Sequence, residues 1–186
     1  MIKKYETFRR KLALARIQAK LKRRKVPRST VNFEQTTDIA LILYAKNEME
    51  LEALQNFRKD LIGMGKKVIC IVYCSEKNME LFQKSIPNIT YITKKDFNFW
   101  RLPKSRAAGD FIKTRCDIVV DLTQSKHFET AYLVALSRAS YRVGVFQSDL
   151  KECYDFMIDM KNNENVNAFI DQLKKYWNMI KVDANV

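Results

Sequence analysis

The sequence has 186 residues, 47% of them hydrophobic and 11% aromatic, which is enough for one domain with a buried core. Its formal net charge is +13, and no apolar run reaches the length of a membrane span. These totals speak against a largely disordered chain and against a membrane-spanning one.

The first predicted element is a basic helical arm at residues 1–30. It holds twelve lysines and arginines against one acid, Glu6, so eleven of the thirteen net positive charges lie in it. Two narrow apolar strips alternate with cations on the helix, and one strip consists of Leu14, Ile17 and Leu21. A membrane-surface helix has one broad apolar face instead. The arrangement therefore favours insertion among the phosphates of a nucleic acid.

The predicted nucleic-acid-binding residues of the arm are its cations: Arg9, Arg10, Lys11, Arg16, Lys20, Lys22, Arg23, Arg24, Lys25 and Arg28. Contacts of this kind position a protein on its partner without reading sequence. The alternative interpretation is a solvated basic helix or tail with no specific partner.

Residues 36–183 are predicted to form the folded domain. Nearly continuous apolar runs at 38–44, 67–73, 116–122 and 141–146 are typical of strands buried on both faces, as in parallel sheets. Weaker strands are predicted at 88–93 and 154–160. Helical patterns alternate with the strands. The sequence therefore predicts an α/β fold: a three-layer α/β/α Rossmann-like domain with a mostly parallel sheet of five to six strands, preceded by the basic N-terminal helix.

Helix boundaries can be predicted from local signals. Asn47 and Glu50 have the spacing of a capping box, and Gly63 or Gly65 is expected to end the first helix of the domain. Further helices are predicted at 79–84, 104–115, 128–137 and 166–180. In the last one, Phe169, Leu173 and Trp177 form the apolar stripe.

A candidate pocket follows the strand at 116–122. Its residues are Asp121, Thr123, Gln124, Ser125 and His127. Asp121 and His127 could act as an acid–base pair at a strand end. The preferred interpretation is that Asp121 binds backbone amides at the start of the next helix and His127 is a partly exposed residue of the first helical turn. No strand is followed by a glycine-rich phosphate-binding motif, so the common dinucleotide and P-loop sites are not expected.

A second candidate nucleic-acid contact lies in residues 94–106, where Phe97, Phe99 and Trp100 alternate with cations. The residues predicted to make it are Trp100, Arg101, Lys104 and Arg106. Aromatic faces among cations suit stacked single-stranded bases. The preferred alternative is that the aromatic rings pack on the flank of the sheet.

The four cysteines are Cys70, Cys74, Cys116 and Cys153, and none of them forms a Cys-x-x-Cys pair. With His127 as the single histidine, a zinc site would lack ligands. We expect buried reduced thiols, no metal, no cofactor and a cytoplasmic protein.

The stretch 116–146 resembles heptosyltransferase-type glycosyltransferases in their amino-terminal Rossmann-like domain. The matching residues are Asp117, Asp121, Leu122, Arg142 and Gly144. The resemblance implies the fold. Those enzymes need a second Rossmann-like domain, and this chain is long enough for only one. After their first strand they also have a loop with a glycine and an acid, whereas residues 44–54 contain no Gly-Asp pair. The transferase reaction is therefore not expected. The whole chain also resembles an uncharacterised family of small Bacteroidota proteins with a basic amino-terminal segment, which implies no activity.

The leading hypothesis is a non-enzymatic protein whose arm binds RNA, ribosomal RNA in the first place, with ribosomal proteins as further neighbours. The first alternative is a single-domain glycosyltransferase-like protein at an anionic membrane surface. The second is a small-molecule enzyme with its site at the Asp121–His127 strand end.

Overall fold

The computed structural model describes residues 11–12, 14–19, 21, 32–86, 89–161 and 163–179, and every structural statement below concerns these residues. The described residues at 11–21 are helical and are called α1. The elements that follow are β1 (Asp38–Ala45), α2 (Glu48–Gly63), β2 (Lys67–Cys74), α3 (Glu76–Ser85), β3 (Thr90–Ile92), α4 (Arg106–Lys113), β4 (Arg115–Asp121), α5 (Phe128–Leu136), β5 (Arg138–Val145), β6 (Phe156–Ile158) and α6 (Val166–Met179).

The six strands form one sheet in the order β3-β2-β1-β4-β5-β6, and every adjacent pair is parallel. Helices α2, α3 and α6 cover one face, and α1, α4 and α5 cover the other. The predicted three-layer Rossmann-like domain is confirmed. The strand order reverses between β1 and β4, and in such sheets this is the place where ligands usually bind.

The central strand β1 shows why the sheet is double-sided. Leu41 and Leu43 point into the cluster under α2 and α6, whereas Ala40 and Ile42 point into the cluster under α4 and α5. A strand with apolar residues at successive positions can be stable only with both faces covered. The uninterrupted apolar run in the sequence is therefore explained by the two helical layers.

Helix α2 begins as the sequence predicts, with one difference at the cap. The side chain of Asn47 accepts a hydrogen bond from the amide of Glu50 at 2.9 Å. The carboxylate of Glu50 accepts from the amide of Lys46 at 2.7 Å, one residue before the position expected for a capping box. The helix ends at Gly63, and the chain turns at Gly65, whose φ of 78° suits glycine.

The outer strands β3 and β6 are shorter than their predicted runs. Beyond β3, the amide of Thr93 donates to the carboxylate of Asp96 in a capping box, which takes the chain away from the sheet. Ahead of β6, Tyr154 and Asp155 lie outside the strand because their side chains bind Asp121 and Arg142. Side-chain partners thus set these strand ends.

A clasp formed by Lys66 and Asp117 holds the chain where it enters β1. The ammonium of Lys66 donates to three backbone carbonyl oxygens, those of Phe33, Glu34 and Thr36, at 2.7–3.1 Å. On the other side, Asp117 accepts from the amides of residues 37 and 38 at 2.7 and 3.0 Å. Burial acts to raise the pKa of Asp117, but these hydrogen bonds outweigh it and hold the pKa below its usual value.

The four cysteines are buried and unbridged, as expected from the sequence. Burial raises the pKa of Cys70 and Cys153 to about 12, so both are neutral thiols packed in the core. Within the described part of the chain, no helix is both long enough and apolar enough to cross a bilayer.

Candidate functional site

The strand-end residues Asp121 and Thr123 lie below the surface of the sheet edge. In the β1–β4 pairing Asp121 lies opposite Ile42, so β1 runs three residues beyond it. The hydroxyl of Thr123 then accepts from the amide of Tyr44 at 2.9 Å, which continues the contact between the two chains. The chain after β4 therefore stays bonded to the last residues of its longer neighbour β1.

Asp121 is a fully buried carboxylate with its own hydrogen-bond partners. One oxygen accepts from the amide of Thr123 at 3.0 Å, and the other accepts from the hydroxyl of Tyr154 at 2.8 Å. Burial raises the pKa of Asp121, although these hydrogen bonds oppose the shift. Asp121 thus binds a backbone amide, but that of Thr123, which precedes the N-cap of α5, and not an amide at the start of the helix as the preferred interpretation predicts.

His127 is the N-cap residue of α5, and its ring lies between two tyrosines. Ring centroids are 4.2 Å from Tyr44 and 4.3 Å from Tyr73. Its Nδ1 accepts from the amide of Thr130 at 3.4 Å, and its Nε2 lies 3.6 Å from the carboxylate of Glu129. Burial, with the charges of Arg101 and Lys46, lowers the pKa of His127 to about 3, so the imidazole is neutral at pH 7.

Asp121 and His127 therefore serve separate local structures. Asp121 fastens Tyr154 over the end of β4, and His127 caps α5 between the tyrosines of β1 and β2. Gln124 and Ser125 lie between them and are half-buried. This part of the edge is packed with hydrogen-bonded side chains.

Three of the helices that begin at this edge, α2, α3 and α5, carry acids in their first turn, whereas α4 and α6 carry none. Helix α2 has Glu48 and Glu50 in its first turn, α3 has Glu76, and α5 has Glu129. A carboxylate near a helix N-terminus already uses the positive end of the helix dipole. An added phosphate would meet like charge, which agrees with the lack of glycine-rich loops.

Helix α1 packs on the domain through the apolar strip seen in the sequence. The side chain of Ile17 is 1% exposed and belongs to the cluster that contains α4 and α5, and Leu14 and Leu21 pack at its margin. Lys11 and Arg16 are exposed. Burial of Ile17 fixes which side of the helix faces the domain and which side carries the cations outward.

Arg16 connects α1 to the second candidate contact. Its guanidinium lies over the ring of Trp100, 5.4 Å from the centroid. The ring of Phe99 meets that of Trp100 edge-on at 5.1 Å. Phe99 is 53% exposed, whereas Phe97 is buried in the core. The basic arm and the 94–106 segment, which are separate candidates in the sequence, are thus in contact in the structure.

Two arginines of the 94–106 segment lie near carboxylates. Arg101 reaches back to Glu129, with its Nε 3.5 Å from the carboxylate oxygen. Arg106 is exposed and lies 3.4 Å from Asp110 on the next turn of α4. Lys104 is exposed as well.

Of the ten arm cations predicted to bind nucleic acid, the structure places Lys11 and Arg16. The others lie outside the described residues: Arg9, Arg10, Lys20, Lys22, Arg23, Arg24, Lys25 and Arg28. All four residues of the second candidate contact are described, and Trp100 and Arg16 are brought together.

Sequence reasoning missed the tyrosines of the strand-end site. Tyr44 and Tyr73 are direct partners in the β1–β2 register, which places both rings beside His127. Aligning the runs 38–44 and 67–73 by their ends could have shown that each closes on a tyrosine. Tyr154 carries no comparable signal, because its partner Asp121 is distant in sequence.

A family of unknown function (DUF6913) matches residues 9–180. The chain belongs to this family. The DUF6913 match runs from inside the basic arm to α6, so it covers the helical arm residues as well as the α/β domain. No curated protein and no solved structure gives a significant match to the chain.

Proposed function

We propose that this protein binds structured RNA through its basic arm, with ribosomal RNA as the main candidate, and that it does not catalyse a reaction. The observation that carries the proposal is the contact of Arg16 with Trp100, next to the buried Ile17. It joins a strongly cationic helix to an aromatic surface of the folded domain.

The charge distribution supports a polyanionic partner. Eleven of the thirteen net positive charges lie in residues 1–30. Binding that neutralises phosphates releases counterions, so affinity falls steeply as salt rises, by about 10³–10⁵ between low and moderate salt for six to ten contacts. A neutral body with one cationic segment would show this behaviour only through the segment.

Seating α1 on the domain also favours tight binding. With Ile17 buried and Arg16 over Trp100, the helix axis is fixed relative to the sheet before any partner arrives. Lys11 and Arg16 then face outward in a set geometry. Less conformational entropy is lost on binding when the contacting groups are held in place in advance.

The exposed positions of α1 suit RNA better than a membrane surface. Among the described arm residues these positions are Lys11, Ala15, Arg16, Gln18 and Ala19. Ile17, which is 1% exposed, faces the domain instead. An interfacial membrane helix needs large apolar side chains on its outer face.

The experiment is sedimentation of native lysate on sucrose gradients at low and high salt. We expect the wild type to travel with ribosomal particles at low salt, to leave them at high salt, and to remain at the top after nuclease treatment. Deletion of residues 1–28 should abolish co-sedimentation, and Lys11→Gln/Arg16→Gln should lower the salt slope of RNA binding by about one per lost phosphate contact.

Lys59→Gln/Lys67→Gln is the matched control, because both lysines are exposed on the domain away from α1. It removes the same charge and should leave binding unchanged. If the protein stays at the top of the gradient in every condition, the proposal fails. Flotation with anionic vesicles that survives nuclease would favour the membrane alternative.

The small-molecule alternative has one supporting observation. The amide oxygens of Gln124 and Gln147 are buried near the ends of β4 and β5 and accept no hydrogen bond from the described residues. A ligand with donor groups would satisfy them. If Gln124→Leu or Gln147→Leu abolishes RNA binding while the arm is intact, the strand end takes part in recognition and the arm-centred proposal is incomplete.

A further inference from the structure

The turn that carries Phe99 and Trp100 is held in one shape by a dense set of hydrogen bonds. The side-chain oxygen of Asn98 accepts from the amides of Trp100 and Leu102 at 2.9 and 3.0 Å. The amide of Asn98 donates to the carbonyl of Leu102 at 2.8 Å, and Phe97 and Pro103 form a bridge at the base. Residues 99 and 100 are therefore presented at the tip of a rigid turn.

The turn also contains a strained residue. Arg101 has a φ of 60°, in the left-handed region that non-glycine residues seldom adopt. Its amide donates to the carbonyl of Asn98 at 2.8 Å, and its side chain reaches the buried carboxylate of Glu129. Strain that is held from two sides is common where a surface is shaped for binding.

The tip of the turn presents a large aromatic ring to solvent. Phe99 is 53% exposed, although Phe97, two residues earlier, is buried in the core. Trp100 is half-buried and lies beneath the guanidinium of Arg16.

We infer that Phe99 stacks an unpaired RNA base, while Arg16, Lys104 and Arg106 face the phosphates on either side of it. The inference rests on the proposed function and names its substrate class: RNA with unpaired nucleotides beside the helix that α1 contacts. Bases inside a duplex are already stacked and offer no face to an aromatic side chain, whereas loops and bulges do.

The charges of the surface select a nucleic acid over an apolar protein partner. Arg16 lies over Trp100, and Lys104 and Arg106 are exposed cations close to Phe99 in the sequence. Of the neighbouring acids, Asp96 is engaged in the capping box with Thr93, and Asp110 lies 3.4 Å from Arg106. An aromatic ring among cations, on a rigid turn, is the arrangement that stacks a base and neutralises its backbone.

The test compares two RNAs with equal numbers of phosphates: a fully paired duplex, and a duplex of the same length in which a central run of nucleotides is mismatched and therefore unpaired. Affinities are measured by fluorescence anisotropy with the full chain. We expect the wild type to prefer the RNA with unpaired nucleotides. Phe99→Ala should lower that affinity about tenfold or more and leave duplex affinity nearly unchanged, because one base stack is lost. Phe99→Trp should retain the preference.

Phe146→Ala is the matched control, because Phe146 has the same side chain at nearly the same exposure, 50%, after β5. A second readout uses Trp177→Phe, which leaves Trp100 as the single tryptophan. Its emission should change on adding the RNA with unpaired nucleotides and should change less in the Phe99→Ala background.

Equal affinity of the wild type for both RNAs, or a preference that persists in Phe99→Ala, would overturn this inference and leave the proposed function standing. If the wild type binds neither RNA, the proposed function itself fails. A loss of the preference in Phe146→Ala as well would show that exposed aromatic rings act without regard to position, which also overturns the inference.

Discussion

The ring of Tyr154 occupies the space that a side chain at position 144 would need. A Cβ built on Gly144 would lie 2.4 Å from Cε1 and 2.8 Å from Cδ1 of Tyr154. Because glycine leaves this space open, the tyrosine can lie across β5 and donate its hydroxyl to Asp121 at 2.8 Å. The Arg-x-Gly pattern of this strand thus has a packing reason in this chain.

Gly144→Ala should destabilise the fold by about 1–3 kcal/mol, the usual cost of overpacking a core. The methyl group would push the Tyr154 ring off β5. Urea unfolding measures the loss, and a double-mutant cycle with Tyr154→Ala gives its source. The double variant should cost less than the sum of the single changes, and strict additivity would contradict the contact as the cause.

Asp121→Asn should gain stability relative to the wild type as pH rises above about 4. The pKa of Asp121 is raised in the folded protein, so the folded state holds a proton that the unfolded state has lost, and wild-type stability falls through this window. Asparagine does not titrate. The free energy of unfolding is measured for both proteins from pH 4 to 8, and a constant difference would contradict a raised pKa.

His127→Asn should reduce the loss of folding stability at low pH, a dependence that runs in the opposite direction to that of Asp121. The pKa of His127 is lowered from 6.5 to about 3 by burial first and by Arg101 and Lys46 second. Between these values the unfolded chain binds the proton and the folded protein does not, so wild-type stability falls as pH drops from about 6.5 toward 3. Asparagine keeps an N-cap acceptor without titrating. The same unfolding series shows whether the slope is lost.

Asp155→Ala should destabilise by about 3–5 kcal/mol, because it leaves the buried guanidinium of Arg142 unpaired. The two side chains form a bidentate pair at 2.8 and 2.9 Å, both nearly buried. Arg142→Leu/Asp155→Leu should recover part of the loss. Asp60→Ala, which breaks the more exposed pair with Lys174, serves as the control and should cost at most about 1 kcal/mol.

The layers of the fold could be predicted because they follow from local patterns. The runs that became β1, β2 and β4 are apolar at successive positions, and only a sheet covered on both faces explains this. The end of β6 could not be predicted in the same way. Tyr154 and Asp155 directly precede it within the predicted run 154–160, and their partners Asp121 and Arg142 belong to other strands.

The candidate sites depended on pairings that no local pattern contains. Asp121 stands at a strand end in the sequence, but in the structure it is buried and bound to the hydroxyl of Tyr154, which lies 33 residues away. Arg16 and Trp100 belong to segments that were each recognisable by composition, and only the packing of Ile17 on the sheet face brings them together. The sequence shows which residues could take part in a site, but only the tertiary structure shows which of them are in contact.

The clasp of Lys66 and Asp117 at the start of β1 has a mechanical consequence. Tension that pulls α1 off the domain reaches β1 through residues 33–38, where one ammonium holds three carbonyl oxygens and one carboxylate holds two amides. Beyond the clasp, β1 is bonded on both sides to parallel strands, so a pull along its axis loads two rows of hydrogen bonds in shear at the same time. In a protein held by its arm on a large moving particle, the force would be carried by the two rows of hydrogen bonds along β1.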